Sequence, residues 1–255
     1  MFTYVDPDRI LFSSDGFGQH FASAERFDDQ IKEDIMPHAR KYFANILLLY
    51  APLIIKLIDK FKSMPVTPSM ICPDHGIIFR KNPSEILNAY REWSEQKPKR
   101  KALVIYDTMW HSTEKMAYAI VDALTSNDVD ATPMHLKKWN RSDIITEALD
   151  AGAIIIGSPT LNNGLFPTVS DFLTYMKGLK PQNKIGAAFG SYGWSGEAPK
   201  IVLESFRNLK LKIFEETASF KFSPGAAKKD FLIEFGKKFA QKLLEECSET
   251  KNPGV

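Results

Sequence analysis

The chain has 255 residues, of which 44% are hydrophobic and 25% charged, the balance of a water-soluble globular protein with room for one large domain or two smaller ones. Its 33 basic and 31 acidic residues leave a net charge of +2, and no basic stripe interleaved with aromatics occurs, so nucleic acid is not an expected partner. Two distant cysteines, Cys72 and Cys247, suit reduced thiols in a cytoplasmic protein better than a disulfide framework.

In chain order, "FTYVDPDRI" after Met1 has neither the basic nor the apolar region of a signal peptide. "TYV" and "RILFS" read as short strands joined by the turn "DPD". The second strand runs into "LFSSDGFGQH", where Asp15 stands in a loop of small residues. Apolar positions recurring every three to four residues predict a long helical region from about Glu25 to Lys62. Within it, "ILLLYAPLIIKLI" (46–58) is shorter than the roughly 20 residues that span a bilayer and contains Pro52 and Lys56, which reads as a buried helical hairpin rather than a membrane segment. A strand, "SMIC", and a loop, "PDHG", complete a first part, residues 1–80. A Pro-initiated helix over 81–100 then reads as a linker.

Residues 101–247 alternate strand and helix. The strands are "KALVIY", "DATPMHL", "AIIIGS", "KIGAAFGS" and "LKIFEE", and the segments between them carry helical periodicity, ending in "KKDFLIEFGKKFAQKLLEE". Five apolar strands alternating with helices predict an α/β, doubly wound, five-stranded parallel sheet covered on both faces. Residues 248–255 read as a tail.

Three loops at strand C-termini, where such sheets bind ligands, carry the expected chemistry. "DTMWHST" (107–113) joins a strand to a helix N-terminus and supplies hydroxyls, an anion site that matches neither the Walker nor the dinucleotide glycine pattern. A mononucleotide phosphate suits it, although Ser112 and Thr113 could equally be simple helix caps. "SPTLNNGLFP" (158–167) and "GSYGWSGEA" (190–198) combine apolar or aromatic groups with small residues and amides, as loops that sandwich a flat ring do. Ordinary Gly/Asn turns would read the same way, but three such loops at one sheet edge favour an isoalloxazine ring with its ribityl phosphate in the first loop.

The stretches "YDTMWHSTEKMA", "GSPTLNNGLFP" and "FGSYGWSGEAPK" resemble the three FMN loops in the flavodoxin-like domain of flavodiiron proteins (A-type flavoproteins). "ILFSSDGFGQH", "ARKYFANI" and "MICPDHGIIFR" resemble the second half of that family's metallo-β-lactamase-like domain, so the likeness spans residues 1–247. The resemblance implies a partial metallo-β-lactamase-like domain over 1–80, a linker helix over 81–100 and a flavodoxin-like FMN domain over 101–247. It implies phosphate contacts from Thr108, Met109, Trp110, His111, Ser112 and Thr113. It implies ring contacts from Pro159, Thr160, Leu161, Asn162, Asn163 and Gly164, and from Ser191, Tyr192, Gly193, Trp194 and Gly196. His111 stands where the family often has glycine, which leaves its role open.

By the same resemblance Asp15 is the carboxylate bridging two non-haem irons and His75 a terminal ligand; on the residues alone both read as turn residues rather than as a metal site. The family's H-x-E-x-D-H ligand cluster does not occur in this sequence. The resemblance therefore implies an N-terminally truncated member with an incomplete diiron site. It also implies a rubredoxin-type or other redox donor, and association either as a homo-oligomer or with the missing N-terminal half. Two functions stay open: FMN-dependent electron transfer within an oxygen or nitric oxide reductase, or a standalone flavodoxin-like electron carrier or inactive fragment without iron chemistry.

Overall fold

The computed structural model describes residues 2–249; residues 250–255 of the expected tail lie outside the described residues. The chain forms two compact units, residues 1–96 and 97–255.

In the first unit, β1 (Thr3–Val5) pairs antiparallel with β2 (Ile10–Ser14), and β2 pairs parallel with β3 (Met70–Pro73). The helical region predicted from Glu25 begins only at Met36, with α1 (Met36–Tyr42). Residues before it are pinned in extended and single-turn form by the segment after β3. The Asp28 carboxylate accepts the N–H groups of Arg80 and Lys81 (2.9 and 3.0 Å), and the Arg80 guanidinium bonds Asp29 and lies 3.5 Å over the Phe27 ring. Pro37 then starts the helix, as its missing donor permits.

The expected hairpin is absent. From α1 the chain continues through a π-turn (Phe43–Leu47) and a 3₁₀ turn (Leu48–Tyr50) into α2 (Ala51–Ser63). Pro52 cannot donate back along a regular helix and crowds the preceding turn, and the irregular turns directly upstream absorb that defect without reversing the chain. Met36–Ser63 is one helical stretch long and apolar enough to cross a membrane by length and composition alone. Its Ala44, Leu47, Leu48, Ala51 and Ile58 are buried, while Ile46, Tyr50, Leu53 and Leu57 form an exposed stripe. Helix α3 (Pro83–Glu95) packs on α2, and its buried Tyr90 meets Phe17 and Phe43 at ring distances of 4.5 and 5.0 Å.

The second unit contains β4 (Lys99–Tyr106), α4 (Ser112–Thr125), β5 (Asp130–His135), α5 (Arg141–Ala148), β6 (Ala151–Gly157) and α6 (Pro167–Leu179). These are followed by β7 (Ile185–Tyr192), α7 (Ala198–Asn208), β8 (Lys212–Ile213), β9 (Ala218–Lys221) and α8 (Ala226–Glu249). The sheet is parallel, in the order β5-β4-β6-β7-β8, with β9 also on β7. The segment expected as a single fifth strand is thus shorter than predicted, and a second short strand, "ASFK", continues the same edge further along β7. The central strands are buried on both faces: every residue of β6 is buried, which explains why it reads as a continuous apolar run rather than an alternating one. One core on the α4 and α8 side joins Val104, Ile155, Ala187, Ile120, Phe235 and Phe239. Strand order reverses at β4, so the loops after β4 and β6 diverge and open a crevice at the C-terminal edge.

Candidate flavin site

The crevice holds a cleft of about 510 Å³ walled by all three predicted loops. Their backbones are tied together. Thr160 N–H donates to Ser191 O (2.9 Å), the Thr113 and Ser191 hydroxyls share a hydrogen bond (2.9 Å), and Ser195 Oγ donates to Asn163 Oδ1 (3.2 Å).

In the first loop, His111 adopts φ 61° and caps α4 through its backbone turn. The first N–H seen to bond back belongs to Lys115, onto His111 O (3.1 Å). Those of Ser112, Thr113 and Glu114 precede the helical ladder and form the positive end of the helix dipole. Thr108 is buried, yet its Oγ1 has no hydrogen-bond partner among the described residues. A buried hydroxyl left unpaired is costly, and in the loop that leads to the α4 N–H groups it fits the binding of an anion such as a phosphate ester. The exposed His111 ring turns away to Glu114 (2.6 Å), and that contact holds the Glu114 carboxyl below its usual range.

The second loop is built on a two-residue reversal. Leu161 and Gly164 exchange both backbone hydrogen bonds (3.1 and 2.9 Å), and Asn162 and Asn163 between them have φ of 49° and 57°. Positive φ at both central positions is the type I′ geometry that asparagine tolerates best among residues with side chains, so "NN" encodes the turn. The Ser158 hydroxyl accepts Phe166 N–H (3.0 Å) and donates to Pro159 O (2.8 Å), closing the loop base.

In the third loop Trp194 is 95% exposed, and across the cleft Trp110 is 80% exposed. Two large aromatic faces left to water beside one cleft fit a planar ring bound between them. Met109, Trp110, Ser112, Pro159, Thr160, Leu161, Asn162, Asn163, Ser191, Tyr192, Gly193 and Trp194 line the cleft. Thr108, His111, Thr113, Gly164 and Gly196 do not line it and instead shape its loops. Ser195 of the third loop also lines it, and so does Phe222, which lies outside all three predicted loops. Phe222 is brought there by its N–H bond to Tyr192 O (2.8 Å) just beyond β9, a long-range pairing with no local sequence signal.

In the first unit, Asp15 and His75 come together, with Oδ1 3.2 Å from Nε2. Tyr42 donates to the same carboxylate oxygen (3.4 Å), and burial together with the Asp15 charge pushes its hydroxyl up to about 12. The His20 ring lies 6.4 Å from the His75 ring. Among the described residues no group of three or more His, Cys, Asp or Glu side chains converges as a metal site. The donor set present is two ligands of a hard-ligand site, which does not by itself fit a pair of irons.

A parallel sheet in this order, with hydroxyls in the first loop and exposed tryptophans in the first and third, defines a flavodoxin-like flavin domain. The flavodoxin family profile matches residues 104–236. Over 96% of its length the chain is 42% identical to a nitric oxide reductase of Moorella thermoacetica, and over 80% it is 46% identical to the rubredoxin-oxygen oxidoreductase of Megalodesulfovibrio gigas. Among solved structures it superposes on rubredoxin oxygen:oxidoreductase of Desulfovibrio gigas with a TM-score of 0.92, at 40% identity, covering 96% of this chain and 62% of that one. It superposes on the flavodiiron protein of Giardia intestinalis with a TM-score of 0.88, at 31% identity, covering 97% and 62%. The chain belongs to the flavodoxin family and is of the flavodiiron type. It spans 62% of the length of the Moorella relative and 52% of the Megalodesulfovibrio one.

Proposed function

We propose that the chain transfers electrons through FMN held by the three loops, as the flavin-bearing part of a flavodiiron-type reductase of oxygen or nitric oxide. The observation that carries this reading is an unpartnered, buried Thr108 hydroxyl in the loop that leads into α4, together with two exposed tryptophans on the cleft that this loop helps to wall. FMN supplies one- and two-electron chemistry at its ring, so the protein need contribute no acid or base there. Its residues bind the phosphate at 108–113, place the ring between Trp110 and Trp194 and against the second and third loops, and tune it by packing and hydrogen bonds.

The purified chain is expected to be yellow or to take up added FMN; protein that stays colourless with FMN present rejects the reading. Trp194→Ala removes one ring face, and a stacking contribution of about 1 kcal/mol predicts FMN binding weakened about fivefold in a fluorescence titration. Unchanged affinity removes Trp194 from ring contact.

Names among the relatives, a nitric oxide reductase, a rubredoxin-oxygen oxidoreductase and a coenzyme F420H2 oxidase, support a redox partner and leave its identity to experiment. We favour a rubredoxin-type donor in the cytoplasm. The apolar stripe Ile46, Tyr50, Leu53 and Leu57 supports association with a second copy or with further polypeptide.

A second reading, a flavodoxin-like carrier without iron chemistry, is favoured by the lack of a third convergent ligand beside Asp15 and His75 among the described residues. The two readings share their flavin residues and part at iron. Elemental analysis of the purified chain is expected to find well under two irons per flavin, with Asp15→Ala and His75→Ala leaving flavin content unchanged. Two irons per chain, lost in either variant, would show that the site is complete as it stands.

A further inference from the structure

Asp107 follows β4, a strand whose last five residues are buried and apolar or aromatic, and its own side chain is fully buried. A carboxylate in that position is costly unless its oxygens are satisfied. The next residue and two distant elements satisfy them. Thr108 N–H donates to Oδ1 (2.6 Å), His135 Nε2 at the end of β5 lies 3.0 Å from the same oxygen, and Thr168 Oγ1 in the first turn of α6 donates to Oδ2 (2.5 Å). Lys137 Nζ approaches to 4.0 Å. His135 is itself held flat against Tyr106, with ring centroids 5.1 Å apart and planes 7° apart. Asp107, His135 and Thr168 do not line the flavin cleft, and none of them belongs to the flavin contacts the sequence suggests.

The consequence falls on Thr108. Its amide is spent on Asp107, while its buried hydroxyl keeps no partner among the described residues. Fixing the amide fixes the peptide plane from which that hydroxyl projects. The Lys137 ammonium, 4.0 Å away, partly offsets the Asp107 charge, which would otherwise disfavour an anion held by this loop.

We infer that Asp107, clamped by His135 and Thr168, is a positioning residue for phosphate recognition: it orients Thr108 and so sets the preference of the cleft for the phosphorylated flavin, FMN, over riboflavin. This rests on the flavin reading above and goes further, since it assigns selectivity for the ester to a residue that does not line the cleft. A residue needed only for folding would affect both flavins alike, because they share the ring and the ribityl chain.

The test is a pair of fluorescence titrations, with FMN and with riboflavin, on the wild-type chain and on Asp107→Val, Asp107→Asn and Thr168→Val. Losing a charged acceptor of a backbone N–H predicts that Asp107→Val weakens FMN about tenfold or more and riboflavin less than about threefold. Asp107→Asn keeps an acceptor for Thr108 and is expected to hold the FMN-to-riboflavin ratio within about threefold of wild type. Thr168→Val, which loosens the clamp without touching Asp107, is expected to lower the ratio a few-fold and serves if Asp107→Val does not fold. Parallel losses of both flavins in Asp107→Val and Thr168→Val, or a ratio unmoved in both, would overturn the inference. Wild-type protein that binds neither flavin would instead overturn the flavin reading.

Discussion

Replacing Gly190 with alanine is expected to lower the thermal midpoint of the second unit and to weaken FMN binding at least tenfold. Gly190 lies in β7 near its C-terminal end, where the second and third loops run side by side. A Cβ built there would sit 2.3 Å from Ser158 O, with Pro199 Cγ at 3.2 Å on the other side. The closer obstacle is backbone, which cannot rotate aside as a side chain can. The Ser158 segment must therefore move away from β7, although Ser158 N–H bonds Phe189 O (3.1 Å) and Thr160 N–H bonds Ser191 O (2.9 Å) on either side of this position. Overpacking of this kind costs about 1–3 kcal/mol, and the upper end is expected because two inter-loop hydrogen bonds stretch together. The flavin is affected more than the core, since the displaced segment is a wall of the cleft. Differential scanning fluorimetry of the flavin-free protein and an FMN titration read the two effects separately. A variant with wild-type midpoint and affinity would show that the loops can part at no cost.

Replacing Lys184 with methionine is expected to stabilise the protein at neutral and acidic pH. Lys184 immediately precedes β7, at the sheet edge opposite the flavin loops, and is 1% exposed. Its ammonium donates to Leu149 O (3.1 Å). Burial lowers its pKa to about 7; the nearby Asp150 and Cys247 act against that shift and Lys101 adds to it. The sign follows from the two states. In the unfolded chain a lysine stays protonated up to about pH 10.4, whereas in the folded chain it gives up its proton near pH 7. Between those values the unfolded state holds a proton that the folded state lacks, so stability rises with pH across that window. Below about pH 7 both states are protonated, and the folded state carries the full cost of a buried ammonium. A pKa lowered to about 7 by burial corresponds to a penalty on the order of 4–5 kcal/mol. Losing the bond to Leu149 O gives back about 1–2 kcal/mol. The net expectation at pH 6 is a gain of about 3 kcal/mol in Lys184→Met, with the rise in stability between pH 7 and 10 flattened. Denaturant unfolding at pH 6, 8 and 10 checks both the size and the slope. Equal destabilisation at all three would mean that the ammonium is well accommodated after all.

What the sequence discloses depends on how local each cause is. The strands of the second unit are legible because each is an apolar run bounded by turn residues, and the helices between them because of their period. The three flavin loops are legible for the same reason: they are what remains between strand ends and helix starts, and their hydroxyls, amides and aromatics are conspicuous there. Where an element answers to a distant partner, the reading fails. Residues 25–35 carry helical spacing but are held out of a helix by Arg80 and Lys81. "ASFK" is too short and mixed to announce a strand, and becomes one by pairing with β7. Phe222 enters the cleft through a bond to Tyr192. Pro52 predicts a break but not its form, since a hairpin and a π-turn relieve the same clash. Asp107 is visible as an acid closing an apolar strand, but its meaning depends on His135 and Thr168, which only folding brings to it.

The divided outer strand of the flavin domain bears on how the protein behaves in a crowded solution. A sheet with a long bare margin invites strands from neighbouring molecules to add on. Here that margin is cut into β8, two residues long, and β9, four residues long, at separate registers on β7. At the opposite margin β5 carries Pro133, which has no N–H to offer. Neither side presents an unbroken ladder of donors and acceptors, so this domain is built to stay apart from its own copies through its sheet.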